Sequence, residues 1–236
     1  MMNKKLYVDI LSNQAKKDGR PYEMALSDFC DFLLDLFSVK AFQGNKAYDL
    51  KNWYQERINK KPDFGVLATT WLIDVSRALQ NGTWLDVFGI LYEDIYLSRG
   101  KASQTGQFFT PHDVSDLISD IIGSKKKQAS SPVISGTRVN DCAAGSGRLL
   151  LSHFAKMSCP DPSAGRHYKY VAQDSDPLVC KICALNMMAH GMDGVVICQN
   201  SLAMSAPSVT YYVNEVRYPF ITPYYSIRTE SGNPQK

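Results

Sequence analysis

Val139 to Leu150 reads V-N-D-C-A-A-G-S-G-R-L-L, and the reading of this stretch decides the fold. A short β-prone run, Thr137 to Asn140, leads into an acid, then a small glycine-containing turn, then the apolar start of a helix. Asp141 stands where a carboxylate emerges from the C-terminal end of a strand. Gly145 and Gly147 let the backbone turn tightly and let a ligand approach the amides at a helix N-terminus. A glycine pair alone also suits an ordinary structural turn between strand and helix, so its meaning comes from the flanks.

Downstream, Leu149 to Met157 reads as a helix and Cys159 to Arg166 as a Pro/Gly-containing loop. Tyr168 to Ala172 is a strand ending in Gln173-Asp174. Asp176 and Pro177 open a helix that runs to His190 and is stopped by Gly191. Val195 to Cys198 is a third strand, ending in Gln199-Asn200. Strand, helix, strand, helix, strand with such connections predicts right-handed crossovers and a parallel sheet. Asp141, Asp174 and Asn200 then fall together at strand C-terminal ends, where these sheets bind ligands. An acid after the second strand suits ribose hydroxyls, and a polar residue after the third suits an adenine edge. The pattern points to a nucleoside-containing cofactor and leaves NAD and S-adenosylmethionine both open.

Upstream, the first hundred residues read as helices. Leu26, Phe29, Cys30, Leu33, Leu34 and Phe37 repeat with helical period, as do Phe64, Leu67, Ala68, Trp71, Leu72 and Val75. Asn81-Gly82 breaks the second stripe. Thr83 is expected to cap a third helix carrying Leu85, Phe88, Leu91, Tyr92 and Ile95, with Asp86 at its third position. Ser98 to Gly106 interrupts the pattern, and G-Q-F-F-T-P-H-D-V follows. Thr110 suits an N-cap, Pro111 the first helical position and Asp113 the first turn. The helix they open carries Val114, Leu117, Ile118, Ile121 and Ile122 on one face. Lys125 to Gly136 reads as a basic loop, its lysines solvated.

The whole chain sets looser bounds. Its 236 residues are 44% hydrophobic and 21% charged, with a formal net charge of +3, as in an ordinary globular protein. That charge permits nucleic-acid contact without demanding it. No apolar run is long enough to span a membrane and the N-terminus lacks a signal-peptide pattern, so the expected location is cytoplasmic. Six cysteines are then expected to be thiols. Cys180-x-x-Cys183 has no second ligand pair at zinc spacing and is read as buried helix, so no metal site is expected.

From Thr83 to Leu202 the chain resembles the modification subunits of type I restriction systems, which are N6-adenine DNA methyltransferases. Asp86, Gly89, Tyr92 and Glu93 match a D-x-x-G-x-x-Y-E segment ahead of G-Q-F-[FY]-T-P. D-C-A-A-G-S-G-R-L-L corresponds to the family's D-P-A-C-G-S-G-G-F-L. Ala172-Gln173-Asp174 matches G-Q-E, and Asn186, His190 and Gly191 match N-x-x-x-H-G. The resemblance implies an α/β protein: a helical N-terminal domain over 1–100, then a Rossmann-like S-adenosylmethionine-dependent methyltransferase domain over 101–236, its sheet shortened after 202. It implies S-adenosylmethionine as cofactor, held by Phe109 and Thr110 at the methionine end and by Asp141 at the amino group. Ala143, Gly145 and Gly147 would line its path, with Asp174 on the ribose and Asn200 near the adenine amino group. It implies DNA as a partner, together with specificity and restriction subunits, and no membrane.

The departures bear on chemistry. Family members carry N-P-P-[FY] after the fourth strand, where the Asn oxygen and a prolyl carbonyl accept the adenine amino hydrogens and the aromatic ring stacks on the flipped base. No Asn-Pro-Pro occurs in this chain. Asn214, followed by Tyr218-Pro219-Phe220, comes nearest without matching the spacing, so no catalytic residue is assigned. Cys142 and Arg148 replace the usual Pro and Gly, and Asn200 replaces the usual Asp, although an amide oxygen can still accept. Only 36 residues follow Asn200. The aromatic tail Val209 to Arg228 is expected to add a strand or hairpin, cover an edge, or meet a partner. Two readings follow: a methyltransferase, or a relative that keeps the crevice and cannot methylate.

Overall fold

The computed structural model describes residues 2–42, 47–97, 109–128, 136–157, 168–203, 205–215 and 225–232. The readings made for Ser98 to Phe108, Cys159 to Arg166 and Tyr218 to Phe220 lie outside these residues.

The apolar stripes of the N-terminal region become helices α1 (Lys4–Lys17), α2 (Tyr22–Leu36), α3 (Ala47–Lys60), α4 (Pro62–Gln80) and α5 (Val87–Tyr92). Their predicted core positions meet. Phe29 lies 5.1 Å from Phe64 and 5.7 Å from Phe88, and Trp71 lies 5.0 Å from Phe88, ring centre to ring centre. Each such buried ring contributes roughly 1.5–3 kcal/mol by leaving water. Gly82, at φ +69°, turns the chain after α4 in the left-handed region that Asn-Gly predicts. The cap of α5 differs from the expectation. Asp86, not Thr83, is the N-cap, and its side chain accepts the Gly89 N–H.

Helix α6 (His112–Gln128) starts one residue later than a Thr110 cap implies. It also runs through the lysine stretch, so Lys125 to Gln128 is the end of a helix and not a loop. Strands β1 (Thr137–Asp141), β2 (Tyr168–Asp174) and β3 (Gly194–Cys198) are joined by α7 (Arg148–Met157) and α8 (Pro177–Ala189). The three strands pair in parallel in the order β1-β2-β3, as the strand–helix alternation predicts. The tail supplies β4 (Val209–Val213) and β5 (Ile227–Ser231), both antiparallel, giving a mixed five-stranded sheet in the order β1-β2-β3-β4-β5.

Alternation along the strands explains how the sheet packs. Tyr168, Tyr170, Ala172, Val196, Cys198, Tyr211 and Val213 are buried and Lys169 is exposed, as a period of two requires. Helix α8 is apolar around its circumference because it is covered on two sides. It lies on β2, β3 and β4 and also against α2 and α5. Asp176 caps it by accepting the Leu178 and Val179 N–H groups, and Pro177 fills the first position. Cys180 and Cys183 are buried in this helix, as expected, and no metal-holding cluster occurs among the described residues. The tail also reaches the helices, since the Ile227 N–H donates to Phe37 O at 2.9 Å. One apolar core therefore runs from Tyr7 to Ile227. No described helix is long and apolar enough to cross a membrane.

Candidate functional site: a glycine loop locked to the helices

β1 and β2 end at Asp141 and Asp174, side by side, and the glycine loop passes across both strand ends. The loop is tied down by backbone donors. Ala143 N–H donates to Asp141 Oδ1 at 3.1 Å, Ala144 N–H to Gln173 O at 2.9 Å and Gly145 N–H to Asp174 Oδ2 at 3.0 Å. Gly145 has φ +55°, and a Cβ built on it would come within 3.1 Å of the Phe109 ring, so both conformation and space require glycine. Gly147, at φ +93°, leads into α7. Asp174 Oδ1 accepts the Asp176 N–H at 3.0 Å. After β3, Ser201 Oγ donates to Cys142 O at 2.8 Å and draws that turn to the glycine loop.

The structure brings five of the eight predicted residues to one cavity, while Gly147 and Asn200 lie outside its lining. Phe109, Thr110, Asp141, Ala143, Gly145 and Arg148 line one small cavity of about 40 Å³. Asp174 joins it through Gly145. Asn200 stands apart: it is exposed, and its Oδ1 accepts the Leu202 and Ala203 N–H groups at 3.1 and 3.0 Å. Its oxygen serves the local turn, leaving the amide nitrogen as the group that can address a base.

Asp141 carries the site's most telling atom. Its Oδ2 is buried and has no hydrogen-bond partner. Burial pushes its pKa up, the Ala143 N–H opposes this, and the Asp174 carboxylate nearby adds to the rise. A buried acceptor in this state is stabilised by a cationic donor.

The sequence did not disclose how the loop is fixed to the helical region. Asp86 is buried and all four of its acceptor positions are filled. Oδ1 accepts the Gly89 N–H and Asn186 Nδ2, each at 2.7 Å, while Oδ2 accepts Ser146 Oγ at 2.6 Å and Arg148 Nε at 2.8 Å. Arg148 Nη1 also donates to Glu93 Oε1 at 2.9 Å and to Thr110 O at 3.3 Å, and the guanidinium lies 5.3 Å from the Phe109 ring centre. Arg148 is therefore a buried ion-pair partner at the wall of the cavity. Gly89 is glycine because a Cβ there would fall 1.9 Å from Asp86 Oδ2. The one available signal was that Asp86, Glu93, Asn186 and His190 all belong to the motifs of the resemblance.

His190 closes the same junction. Its Nδ1 donates to Asn186 O at 2.7 Å and its Nε2 accepts the Leu85 N–H at 3.3 Å, so the ring is neutral. Burial pushes its pKa down to about 4, against the pull of the Asn186 carbonyl and Asp86. The unfolded chain binds this proton near pH 6.5 and the folded chain does not until about pH 4. The stability His190 supports is thus complete above pH 6.5 and is lost as the pH falls toward 4, by roughly 1.4 kcal/mol per unit. Urea unfolding at pH 7, 6 and 5 measures this slope. His190→Gln is expected to flatten it by about one proton.

Asn214, the nearest stand-in for the missing Asn of N-P-P, is in the wrong place. It follows β4, whose Val213 pairs with Gly194 at the start of β3, so it sits at the opposite end of the sheet from Asp141 and Asp174. A strand of that length separates the two ends by roughly 13 Å. Its amide is engaged: Nδ2 donates to Met188 O and Met192 O, and Oδ1 accepts the Ser226 N–H. At φ +52° it is a structural turn residue. A larger hollow elsewhere, lined by Asp18, Asp28, Asp35, Arg57 and Lys61, is a groove of surface ion pairs and holds no convergent chemistry.

The chain is similar to several known proteins. The chain is 30% identical over 111 residues to the type I restriction enzyme MpnII methylase subunit of Mycoplasma pneumoniae, covering 46% of this chain and 19% of that one. It is 29% identical over 114 residues to the MjaIX methylase subunit of Methanocaldococcus jannaschii, covering 46% and 18%. A type I restriction-modification methyltransferase subunit from Streptococcus thermophilus superposes with a TM-score of 0.38 at 20% identity, over 85% of this chain and 36% of that one. The chain thus spans about a fifth of the length of these curated relatives. The N-6 DNA methylase model matches residues 84–226, more than half of the chain. By that match, this chain belongs to the N-6 DNA methylase family.

Proposed function

We propose that the crevice at the ends of β1 and β2 binds S-adenosylmethionine, and that this chain is a cofactor-binding member of its family that does not methylate adenine by itself. The observation carrying the first half is the buried, partnerless Asp141 Oδ2 beside Phe109 and Thr110. The amino group of the cofactor's methionine end supplies the cationic donor that this oxygen lacks. Asp174 is half-buried and reached by two N–H donors, and it retains lone pairs for ribose hydroxyls. The cavity of about 40 Å³ is far below the roughly 300–1,000 Å³ of ordinary cofactor sites. Binding therefore requires the Phe109 ring to lift from Gly145, while Arg148 keeps hold of Thr110 O. When bound, the cofactor supplies an electrophilic methyl group. The chain's own residues orient it and neutralise its ammonium.

The second half rests on the missing Asn-Pro-Pro and on the remote, engaged position of Asn214. In this reading the chain works in the cytoplasm with DNA, together with specificity and restriction subunits of a type I system. Its support is that the relatives are named methylase subunits of type I restriction enzymes.

The role of Asp141 is tested with two ligands. Methylthioadenosine retains the nucleoside but lacks the amino acid. Asp141→Ala is expected to weaken S-adenosylmethionine binding about tenfold or more and to leave methylthioadenosine unchanged. Equal losses for both ligands would remove Asp141 from the amino group.

A further inference from the structure

The turn after β3 decides which kind of base edge this crevice can read. Gln199 N–H donates to Asp174 O at 2.8 Å, and Ser201 Oγ donates to Cys142 O at 2.8 Å. The turn is thus tied to the end of β2 on one side and to the glycine loop on the other. Asn200 lies between the two ties. Its N–H donates to Ser205 Oγ at 3.0 Å, and its carbonyl accepts the Ser205 N–H at 3.3 Å. Its Oδ1 accepts the Leu202 and Ala203 N–H groups at 3.1 and 3.0 Å. Both groups that approach Oδ1 are donors, and an amide nitrogen has no lone pair to offer them. The side-chain amide therefore has one orientation. Its oxygen faces the turn, and Nδ2 is left for whatever lies outside it.

A carboxylate and an amide differ in this setting. In an Asp at this position one oxygen would serve the turn and the other would remain an acceptor. In Asn200 the remaining group carries two N–H donors and accepts nothing. The Asp usual in the family is thus replaced by a group of opposite hydrogen-bonding sense, and the turn stays capped.

The sheet sets what Nδ2 can meet. Asp174 and Cys198 are paired across β2 and β3, and neighbouring strands stand about 4.8 Å apart. A ribose held by Asp174 directs its base toward the next strand end, which is the turn of Asn200, outside the small cavity beside Asp141. Adenine carries an amino group, a donor, at its 6-position, with the N1 acceptor next to it. A 6-oxopurine carries an acceptor at the 6-position. Against Nδ2, the 6-amino group sets donor against donor, whereas the 6-oxo group completes a hydrogen bond.

We infer that Asn200 makes the crevice selective for a purine nucleoside that presents an acceptor to this turn, so that a 6-oxopurine nucleoside is held at least as tightly as its 6-amino counterpart. S-Adenosylmethionine still enters, with N1 instead of the amino group against Nδ2, and its amino group goes unread. The inference rests on the reading of the crevice as a nucleoside site, and adds the residue that sets base selectivity and the direction of that selectivity. Asn200 is exposed, so water replaces part of any missing bond. The selectivity is accordingly about tenfold, far less than an enclosed polar pocket imposes.

Methylthioadenosine and methylthioinosine differ only in the 6-amino or 6-oxo edge of the base. Each is titrated calorimetrically, near neutral pH, into the full wild-type chain and into Asn200→Asp. The wild type is expected to bind the inosine compound at least as tightly as the adenosine compound. Asn200→Asp keeps an oxygen for the Leu202 and Ala203 N–H groups, and is expected to move the ratio of affinities about tenfold toward the adenosine compound. A wild-type preference for the adenosine compound, or a ratio that folded Asn200→Asp leaves unmoved, would overturn the inference and leave the cofactor reading standing. Binding of neither compound by folded wild type would remove the nucleoside site, and the inference with it. The wild-type ratio decides alone if the variant does not fold.

Discussion

Asp86→Ala is expected to lower the free energy of unfolding by about 3–5 kcal/mol, the largest effect of any single side chain in the junction. The reason lies in what the substitution leaves behind. Arg148 stays buried with only the half-exposed Glu93 to compensate it, the Ser146 hydroxyl loses its acceptor, and the Asn186 amide keeps only Ser146 O. A buried ion pair adds little over an apolar pair of the same shape, but removing one partner strands the other. Denaturant unfolding of Asp86→Ala, Arg148→Ala and the double variant measures this. The double variant is expected to lose clearly less than the sum of the two singles, because the stranded charge is gone. A loss below about 1 kcal/mol for Asp86→Ala would show that the junction is not held by this network.

Methyl transfer is the second large effect. The purified chain is expected to form N6-methyladenine in DNA at least about 10²–10³ times more slowly than a family member with N-P-P-[FY], the range seen when one transition-state polar contact is removed. The adenine amino nitrogen shares its lone pair with the ring and becomes nucleophilic only when acceptors hold its hydrogens. The sequence holds no Asn-Pro-Pro, and among the described residues the nearest candidate, the Asn214 amide, is bonded to Met188 O, Met192 O and the Ser226 N–H. Quantifying N6-methyladenine by mass spectrometry after incubation with S-adenosylmethionine and DNA provides the measurement. Robust methylation abolished by Asn214→Ala, with the fold retained, would contradict the account.

Much of this architecture was legible in one sequence because local periodicity carries it. The alternation in Tyr168 to Ala172 and the turn at Gly145 to Gly147 locate β2 and the crevice, and Asp176-Pro177 marks the start of α8. What escaped notice is non-local or nearly featureless. α3 is polar over most of its length and gives no stripe to read. Asp86 looks like a helix-start acid until Ser146, Arg148 and Asn186, distant in sequence, are folded around it. Thr83 was the plausible cap only because the demand on Asp86 from across the junction was invisible. For α6, periodicity told which residues share a face and not which face is covered. The stripe Val114, Leu117, Ile118, Ile121 and Ile122 points outward, and the serines point in. Asn200 was placed correctly at a strand end, but an Asx-type turn engages its oxygen.

Calorimetric titration of S-adenosylmethionine into the wild-type chain and into Asp174→Ala tests the central claim most directly. The account predicts a single saturable site in the wild type and binding weaker by roughly 1–3 kcal/mol in the variant, because ribose hydroxyls lose their acceptor. No heat with millimolar ligand in a folded wild-type chain, or equal affinity in the two proteins, would contradict it.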